Sequence, residues 1–347
     1  MRLDEPSWWY ATEGSQVVSR LLSPLGSLYG WAVERRFRAA RPYRAKLPVI
    51  CIGNFTVGGT GKTPLSRFLL ETFAARGVAS ACLTRGYGGS LSGPVWVDPA
   101  RHSASEAGDE PLLIAKDARV MISRDRAAGL AAIERESAID AVVMDDGLQN
   151  PSVEKDLKIA LVDARRGFGN GHVFPAGPLR ARLEFQLGHV DCIVVIGEDP
   201  PEGPSPIFED LKKRFPGPVL RGAVTPSGET DWISGAQILA YAGIANPGRF
   251  FRLLESFGPE GLQTRAFPDH HAFTEKEAES LLSEAEATGA QLATTEKDLA
   301  RLAGATGALA ELRERSRTLP IEVTFEGRDL VRLHSLIDGA LKAGARA

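Results

Sequence analysis

Cysteine is scarce in this sequence. The three present, Cys51, Cys82 and Cys192, stand far apart in apolar runs. They form no CxxC pair and cannot build a disulfide framework, so buried thiols in a reducing compartment are expected. Uncharged apolar runs of about 18 residues are also missing, which argues against a hydropathy-defined transmembrane helix. The amino terminus lacks the basic start, apolar centre and small-residue cleavage site of a signal peptide. Charge excess is absent too. With 41 Lys and Arg against 44 Asp and Glu the net charge is -3, so no global field points to nucleic acid. No internal repeat or long low-complexity tract appears.

What is present fits an ordinary globular enzyme. The 347 residues allow two domains and a full hydrophobic core. From 47 to about 197, apolar β-rich runs recur at Leu47–Gly53, Ser80–Thr84, Arg119–Ile122, Ala141–Met144, Ile159–Val162 and Cys192–Ile196. Helix-like stretches such as Thr63–Arg76 and Arg124–Glu136 lie between them. Buried strands alternating with amphipathic helices imply an α/β fold with a parallel sheet covered on both faces. A proline-rich stretch at Pro200–Pro206, with Pro216 and Pro218 beyond it, reads as linker or loop. A second alternating block follows. Its expected strands are Ile238–Ala242, Gln291–Thr294 and Ile321–Phe325, and its expected helices Gly248–Phe257, Thr274–Thr288 and Arg328–Lys342. The domains expected are therefore 1–46, 47–225 and 226–347.

Residues 1–46 differ from the rest. Trp8, Trp9 and Tyr10 precede Leu21, Leu22, Leu25, Leu28, Tyr29 and Trp31, and an arginine cluster from Arg35 to Arg44 follows. Aromatics and leucines beside arginines suit a membrane interface. They suit equally a helix hairpin packed on the domain with its arginines solvated.

The run Leu47–Gly53 ends in a glycine-rich turn, Gly58-Gly59-Thr60-Gly61, after which Lys62-Thr63-Pro64 opens a helix. This is the strand–loop–helix context of a phosphate-binding P-loop. Glycines let backbone N–H groups crowd phosphate oxygens, and the helix amino terminus adds partial positive charge. Lys62 is the candidate for the β/γ-phosphates and the Thr63 hydroxyl for Mg²⁺. Thr56 stands where the general pattern has its first glycine. Downstream, Ala141–Met144 ends in Asp145-Asp146, and two adjacent carboxylates call for a compensating cation. Asp109-Glu110, read alone, are acids at the start of a helix.

These segments belong to a longer ordered set. Gly53-Asn54-Phe55-Thr56-Val57-Gly58-Gly59-Thr60-Gly61-Lys62-Thr63-Pro64 is followed by Thr84-Arg85-Gly86-Tyr87-Gly88, Gly108-Asp109-Glu110-Pro111, Asp145-Asp146-Gly147-Leu148-Gln149, Gly167-Phe168-Gly169-Asn170-Gly171 and Pro175-Ala176-Gly177-Pro178-Leu179-Arg180. Ala242-Gly243-Ile244-Ala245-Asn246-Pro247, Phe267-Pro268-Asp269-His270-His271 and Thr295-Glu296-Lys297-Asp298 complete it. In this order, over nearly the whole chain, the set resembles the tetraacyldisaccharide 4'-kinase family, the lipid A 4'-kinases of Gram-negative bacteria. In that family Thr56 is the ordinary residue at its position.

The resemblance implies transfer of the ATP γ-phosphate to the 4'-hydroxyl of an acylated glucosamine disaccharide 1-phosphate, with Mg²⁺, at the cytoplasmic face of the inner membrane. It implies a P-loop NTPase-like core, a smaller carboxyl-terminal α/β lobe and a membrane-associated amino-terminal helix, which favours the membrane reading of residues 1–46. The expected partners are the glycolipid and the membrane surface, with no nucleic acid and no protein partner. Asp109 is the implied proton acceptor and His270 its orienting partner, with the neighbouring His271 the alternative. Thr56, Val57, Gly58, Gly59, Thr60, Gly61, Lys62 and Thr63 hold the nucleotide. Thr63, Asp145 and Asp146 hold the metal, and Asn54, Arg85, Gln149 and Arg180 the substrate. Two positions depart from the family: Ala181 replaces a glutamate, whose part is either missing here or supplied by Glu184, and Asn150 replaces a histidine. Two other classes remain to be separated by assay. A partitioning ATPase or metal-insertion GTPase would want a lysine at Val57 or an Asn/Thr-Lys-x-Asp motif. A membrane adaptor would bind ATP without transferring phosphate.

Overall fold

The computed structural model describes residues 6–10, 16–197 and 205–344. Most of the expected Pro200–Pro206 loop lies outside the described residues, and Pro206 itself opens the helix Pro206–Arg214, where its missing N–H is harmless.

Nine strands form one sheet and four form another. In chain order they are β1 Val49–Asn54, β2 Ser80–Thr84, β3 Val95–Trp96, β4 Arg119–Ile122, β5 Ala141–Asp145, β6 Leu157–Asp163, β7 Cys192–Ile196, β8 Val219–Pro226, β9 Gln237–Ala242, β10 Gly261–Ala266, β11 Gln291–Thr294, β12 Ser316–Thr318 and β13 Ile321–Thr324. The large sheet runs β13-β8-β7-β6-β1-β5-β2-β4-β3, and the small one β10-β9-β11-β12. Seven central strands of the large sheet are parallel, with β3 and β13 antiparallel at its two edges. All pairings of the small sheet are parallel.

The central strands are apolar on both faces because helices cover both. β1, β5 and β7 are buried at every position. The helix Lys62–Ala75 lays Leu65, Leu69 and Phe73, all fully buried, on one face of the sheet. Each such leucine contributes about 1.5–3 kcal/mol relative to exposure. The three cysteines are free and buried, and burial pushes the Cys51 and Cys192 thiols up to about 12, which leaves them unreactive.

One expected placement is corrected. Ile321–Phe325 and the helix after it were assigned to the second lobe, but β13 pairs with β8 in the large sheet. The helix Gly327–Gly344 buries Leu333, Ile337 and Ala340 against that same core. The chain therefore leaves the first lobe, builds the second, and returns. Val323 and Phe325 find their apolar partners in the first lobe, Phe325 against Phe68 at 5.2 Å between ring centroids.

The described part of the amino-terminal segment holds a short 3-10 helix, Ser7–Trp9, and one long helix, Gln16–Ala39, with Pro24 inside it. Its packed side carries Ser19, Gly26, Gly30, Val33 and Glu34. Glu34 is 2% exposed and bonded to Arg182. Its outer side carries Val17, Leu21, Leu25, Leu28 and Trp31, each more than half exposed. The usual amphipathic arrangement of a surface helix is thus reversed. None of the described helices is long and apolar enough to cross a membrane.

Candidate active site at the junction of the lobes

Three neighbouring strands deliver the candidate residues to one sheet edge, the carboxyl ends where open α/β sheets bind ligands. β1 feeds the glycine loop, β5 pairs with β1 and β2 with β5, with Ile52 opposite Asp145 and Leu83 opposite Met144. Asp145-Asp146 and Arg85 follow from their ends.

The glycine loop passes through positive φ at Gly58 (105°) and Gly61 (90°) before the helix begins at Lys62. Asn54, expected to contact substrate, is fully buried and its amide donates to Gly58 O at 3.0 Å. It braces the loop instead, because the last residue of a central strand has no exposed side. Arg180 and Gln149 are likewise committed to the loop's frame. Arg180 donates to Thr56 O at 2.9 Å, Asp146 Oδ1 at 3.0 Å and Gln149 Oε1 at 3.3 Å. Gln149 donates to Asn54 O at 2.8 Å. Val57 N donates to Pro178 O, and Thr56 bridges Leu179. Arg85 alone of the four expected substrate residues is exposed. Glu184 is exposed and pairs with Arg214 at 2.9 Å, and Ala181 is fully buried. Asn150 caps its own turn through Ser152.

Lys62, almost wholly buried, lies 3.9 Å from Asp146 Oδ1. Burial works against the ionised Asp146, but Arg180 and Lys62 outweigh it and hold that carboxyl well below the usual range. Asp145 is different. It accepts a hydrogen bond from Ser66 Oγ at 3.1 Å, and burial, then the Glu110 carboxylate, pushes it up to about 6. The Thr63 hydroxyl, one turn before Ser66 on the same helix, is buried with no hydrogen-bond partner. Among the described residues no three His, Cys, Asp or Glu side chains form a metal cage. An orphaned hydroxyl near carboxylates is nevertheless the sparse, all-oxygen donor set that Mg²⁺ uses when phosphates and waters complete its shell.

Asp109 begins the helix Asp109–Ile114 and is 3% exposed. The preceding Gly108 has φ 89°, and a Cβ there would lie 2.5 Å from Tyr87 O. The loop after β2 and the Gly-Asp-Glu-Pro segment thus interlock only with glycine at this position. His270 reaches across from the second lobe, its Nδ1 3.1 Å from Asp109 Oδ2. His271 instead pairs with Glu277 of its own lobe at 2.9 Å and stacks on Phe267. Burial raises the Asp109 pKa, but the His270 hydrogen bond and the charges of Arg301 and Lys297 prevail and hold it below the usual carboxylate range. His270 and Asp146 are the two non-glycine residues at positive φ among the described residues, at 55° and 50°, a conformation that functional sites retain at a cost.

Sequence reasoning missed the basic residues that meet Asp109 and Glu110 from the second lobe. Lys297 pairs with Glu110, and Arg301 pairs with Asp109. Lys297 lies inside a quoted motif. Arg301 lies three residues past Asp298, on the same helix face, and that spacing was the available signal. The loop and the second lobe also touch directly, since a Cβ on Gly59 would sit 3.3 Å from that of Ala245.

Comparison with known proteins agrees over most of the chain. The family model described as tetraacyldisaccharide-1-P 4'-kinase matches residues 18–341. A tetraacyldisaccharide 4'-kinase of Bradyrhizobium diazoefficiens is 42% identical over 97% of this chain and 96% of its own length. One from Methylobacterium nodulans is 48% identical over 86% of this chain and 88% of its own. Among solved structures, the "apo" form of LpxK from Aquifex aeolicus in complex with ATP superposes with TM-score 0.72 at 25% identity, covering 93% of this chain and 99% of that one.

Proposed function

The chain belongs to the tetraacyldisaccharide 4'-kinase family, and from that premise we propose how its two lobes share the reaction. It is an ATP-dependent lipid A 4'-kinase that moves the γ-phosphate of ATP to the 4'-hydroxyl of tetraacyldisaccharide 1-phosphate. A P–O bond forms to the sugar oxygen as the β–γ bridging bond breaks. ADP leaves, and the hydroxyl proton must go to a base.

The first lobe grips the nucleotide. Backbone N–H groups from Gly58 to Thr63 face the phosphates, and Lys62 exchanges its contact with Asp146 for the β/γ-phosphate oxygens. Thr63 and Asp145 would hold Mg²⁺, and Asp146 keeps Lys62 and Arg180 in register. The metal, when bound, neutralises charge on the transferring phosphoryl group. Arg85, exposed at the end of β2, is free to meet a substrate phosphate.

Asp109 accepts the 4'-hydroxyl proton, and His270 orients its carboxylate. The observation that carries this division is the Asp109–His270 contact across the lobes, beside a loop the second lobe already touches. Phosphoryl transfer asks for placement and charge compensation more than for covalent help, and this junction supplies both.

The helix Gln16–Ala39 rests on the membrane surface at the cytoplasmic face, where ATP and the glycolipid meet. Its outward Leu21, Leu25, Leu28 and Trp31, with Arg35 over the Trp31 ring at 5.4 Å, support that placement. The deciding experiment incubates the protein with labelled ATP and a panel of glycolipid disaccharides and reads the phosphate position by mass spectrometry. A 4'-phosphate on the acylated 1-phosphate disaccharide supports the reading. ATP binding without transfer would instead make the protein a nucleotide-dependent adaptor.

A further inference from the structure

Arg301 closes the short helix Glu296–Arg301 of the second lobe, and its guanidinium touches four groups of the site. Nε lies 2.9 Å from Asp109 Oδ2, and Nη2 contacts the same oxygen. Nη2 is also 3.4 Å from His270 Nδ1. Nη1 donates to Gly243 O at 2.7 Å and pairs with Asp298 Oδ1.

The mount behind it is rigid. Asp298 is fully buried and accepts from Gly243 N at 3.1 Å and from the Thr295 hydroxyl at 2.6 Å. His270 N donates to Gly243 O at 3.0 Å, so one carbonyl holds both His270 and Arg301. A Cβ on Gly243 would lie 3.0 Å from His271 Cβ and 3.1 Å from Asp298 Oδ1, so a side chain there would crowd the mount. From its own lobe the Asp109 carboxylate takes the Glu110 N–H on Oδ1, at 2.8 Å. Oδ2 is held from the second lobe.

We propose that Arg301 is a positioning residue for phosphoryl transfer: seated on Gly243 and Asp298, it fixes the Asp109 carboxylate in the orientation that receives the 4'-hydroxyl proton when the lobes are together. The proposal rests on the reading of Asp109 as proton acceptor. Its physical basis is the cost of burial. A carboxylate as enclosed as Asp109 would take up a proton unless charges face it. Those facing it are His270 from its loop and Arg301 and Lys297 from the helix of the second lobe, with Glu110 beside it and Asp298 behind Arg301. Arg301 combines charge with a planar fork on one oxygen, so it sets direction as well as ionisation.

The test is steady-state kinetics of the full chain with Mg-ATP and tetraacyldisaccharide 1-phosphate from pH 5.5 to 9. The variants are R301Q, R301K, D109N and D109N/R301Q. R301Q is expected to lower kcat about 10- to 100-fold with KM for ATP within about threefold. Its loss should be largest at the acid end of the profile, because Asp109 then holds its proton longer. R301K, which keeps the charge without the fork, should recover only part of the rate, and R301Q should cost nothing further on the D109N background. Unchanged kcat in R301Q overturns the proposal. So does a pH-independent loss that also appears in D109N/R301Q, since that marks a purely structural part. An active D109N removes the underlying reading of Asp109 and the proposal with it. An inactive D109N beside a silent R301Q sinks the proposal alone. Should R301Q fail to fold, Asp298→Asn loosens the mount with the guanidinium in place. It should lower kcat most at the acid end, and an unaltered profile would contradict the proposal.

Discussion

His270 Nδ1 lies 3.1 Å from Asp109 Oδ2, although 161 positions separate the two residues and they belong to different lobes. His271, next in sequence, is turned into its own lobe by Glu277. His270→Ala should therefore lower kcat by about 10- to 100-fold, while His271→Ala leaves kcat near wild type and costs about 1 kcal/mol of stability through its lost hydrogen bond. Parallel rate and melting measurements check the contrast, and equal rate losses in both variants would count against it.

Lys62 is nearly buried and faces Asp146 at 3.9 Å. Lys62→Ala should weaken Mg-ATP binding at least tenfold by calorimetry and abolish measurable transfer. The melting temperature without nucleotide should change little, since Arg180 still compensates Asp146. An active Lys62→Ala enzyme would disqualify the loop as the phosphate grip.

Asp145 sits at about 6, raised chiefly by burial. Its folded pKa exceeds the unfolded value of about 3.9. The favourable contribution is present below about pH 4 and is lost as pH rises through about 6. Asp145→Asn should then raise the melting temperature of the nucleotide-free protein at pH 8 by a few degrees, and the gain should fade toward pH 4. The same variant should lose the stabilisation that Mg-ATP gives the parent. A melting temperature at pH 8 below the parent's would contradict this account of the site.

Leu21, Leu25 and Leu28 are 75%, 56% and 61% exposed, so the folded domain gains little from them. Changing all three to Ser should leave the melting temperature within about 2 °C. It should cut binding to anionic lipid vesicles at least tenfold, since each leucine entering lipid contributes on the order of 1 kcal/mol or more. Undiminished vesicle sedimentation would show that this face is not the membrane contact.

Much of this molecule is readable from short-range pattern. β1, β2 and β4 to β7 are continuous apolar runs bounded by turn residues, and burial on both faces leaves them no other composition. β10 was missed because it is a sheet edge whose Gln263, Thr264 and Arg265 are exposed, so no apolar run marks it. β8 hides behind Pro216 and Pro218. β13 was recognised as a strand but given to the wrong lobe, because a strand's own residues do not name the sheet it joins.

The site follows the same logic. The loop and Asp145-Asp146 could be named from local motifs, and Asp109 and the His270-His271 pair only through the family resemblance. Which groups touch is a long-range matter. Asn54 turns inward because β1 is central, and Arg301 meets Asp109 across 192 positions. No single stretch of sequence contains that pairing.

The central claim, that Asp109 takes the proton as the phosphoryl group moves, is tested most directly by a single-turnover transfer from labelled ATP by Asp109→Asn, with nucleotide affinity measured on the same sample. The account predicts a rate lowered about 10²- to 10⁴-fold with Mg-ATP binding within a few-fold of wild type. Transfer at the parent rate would contradict it.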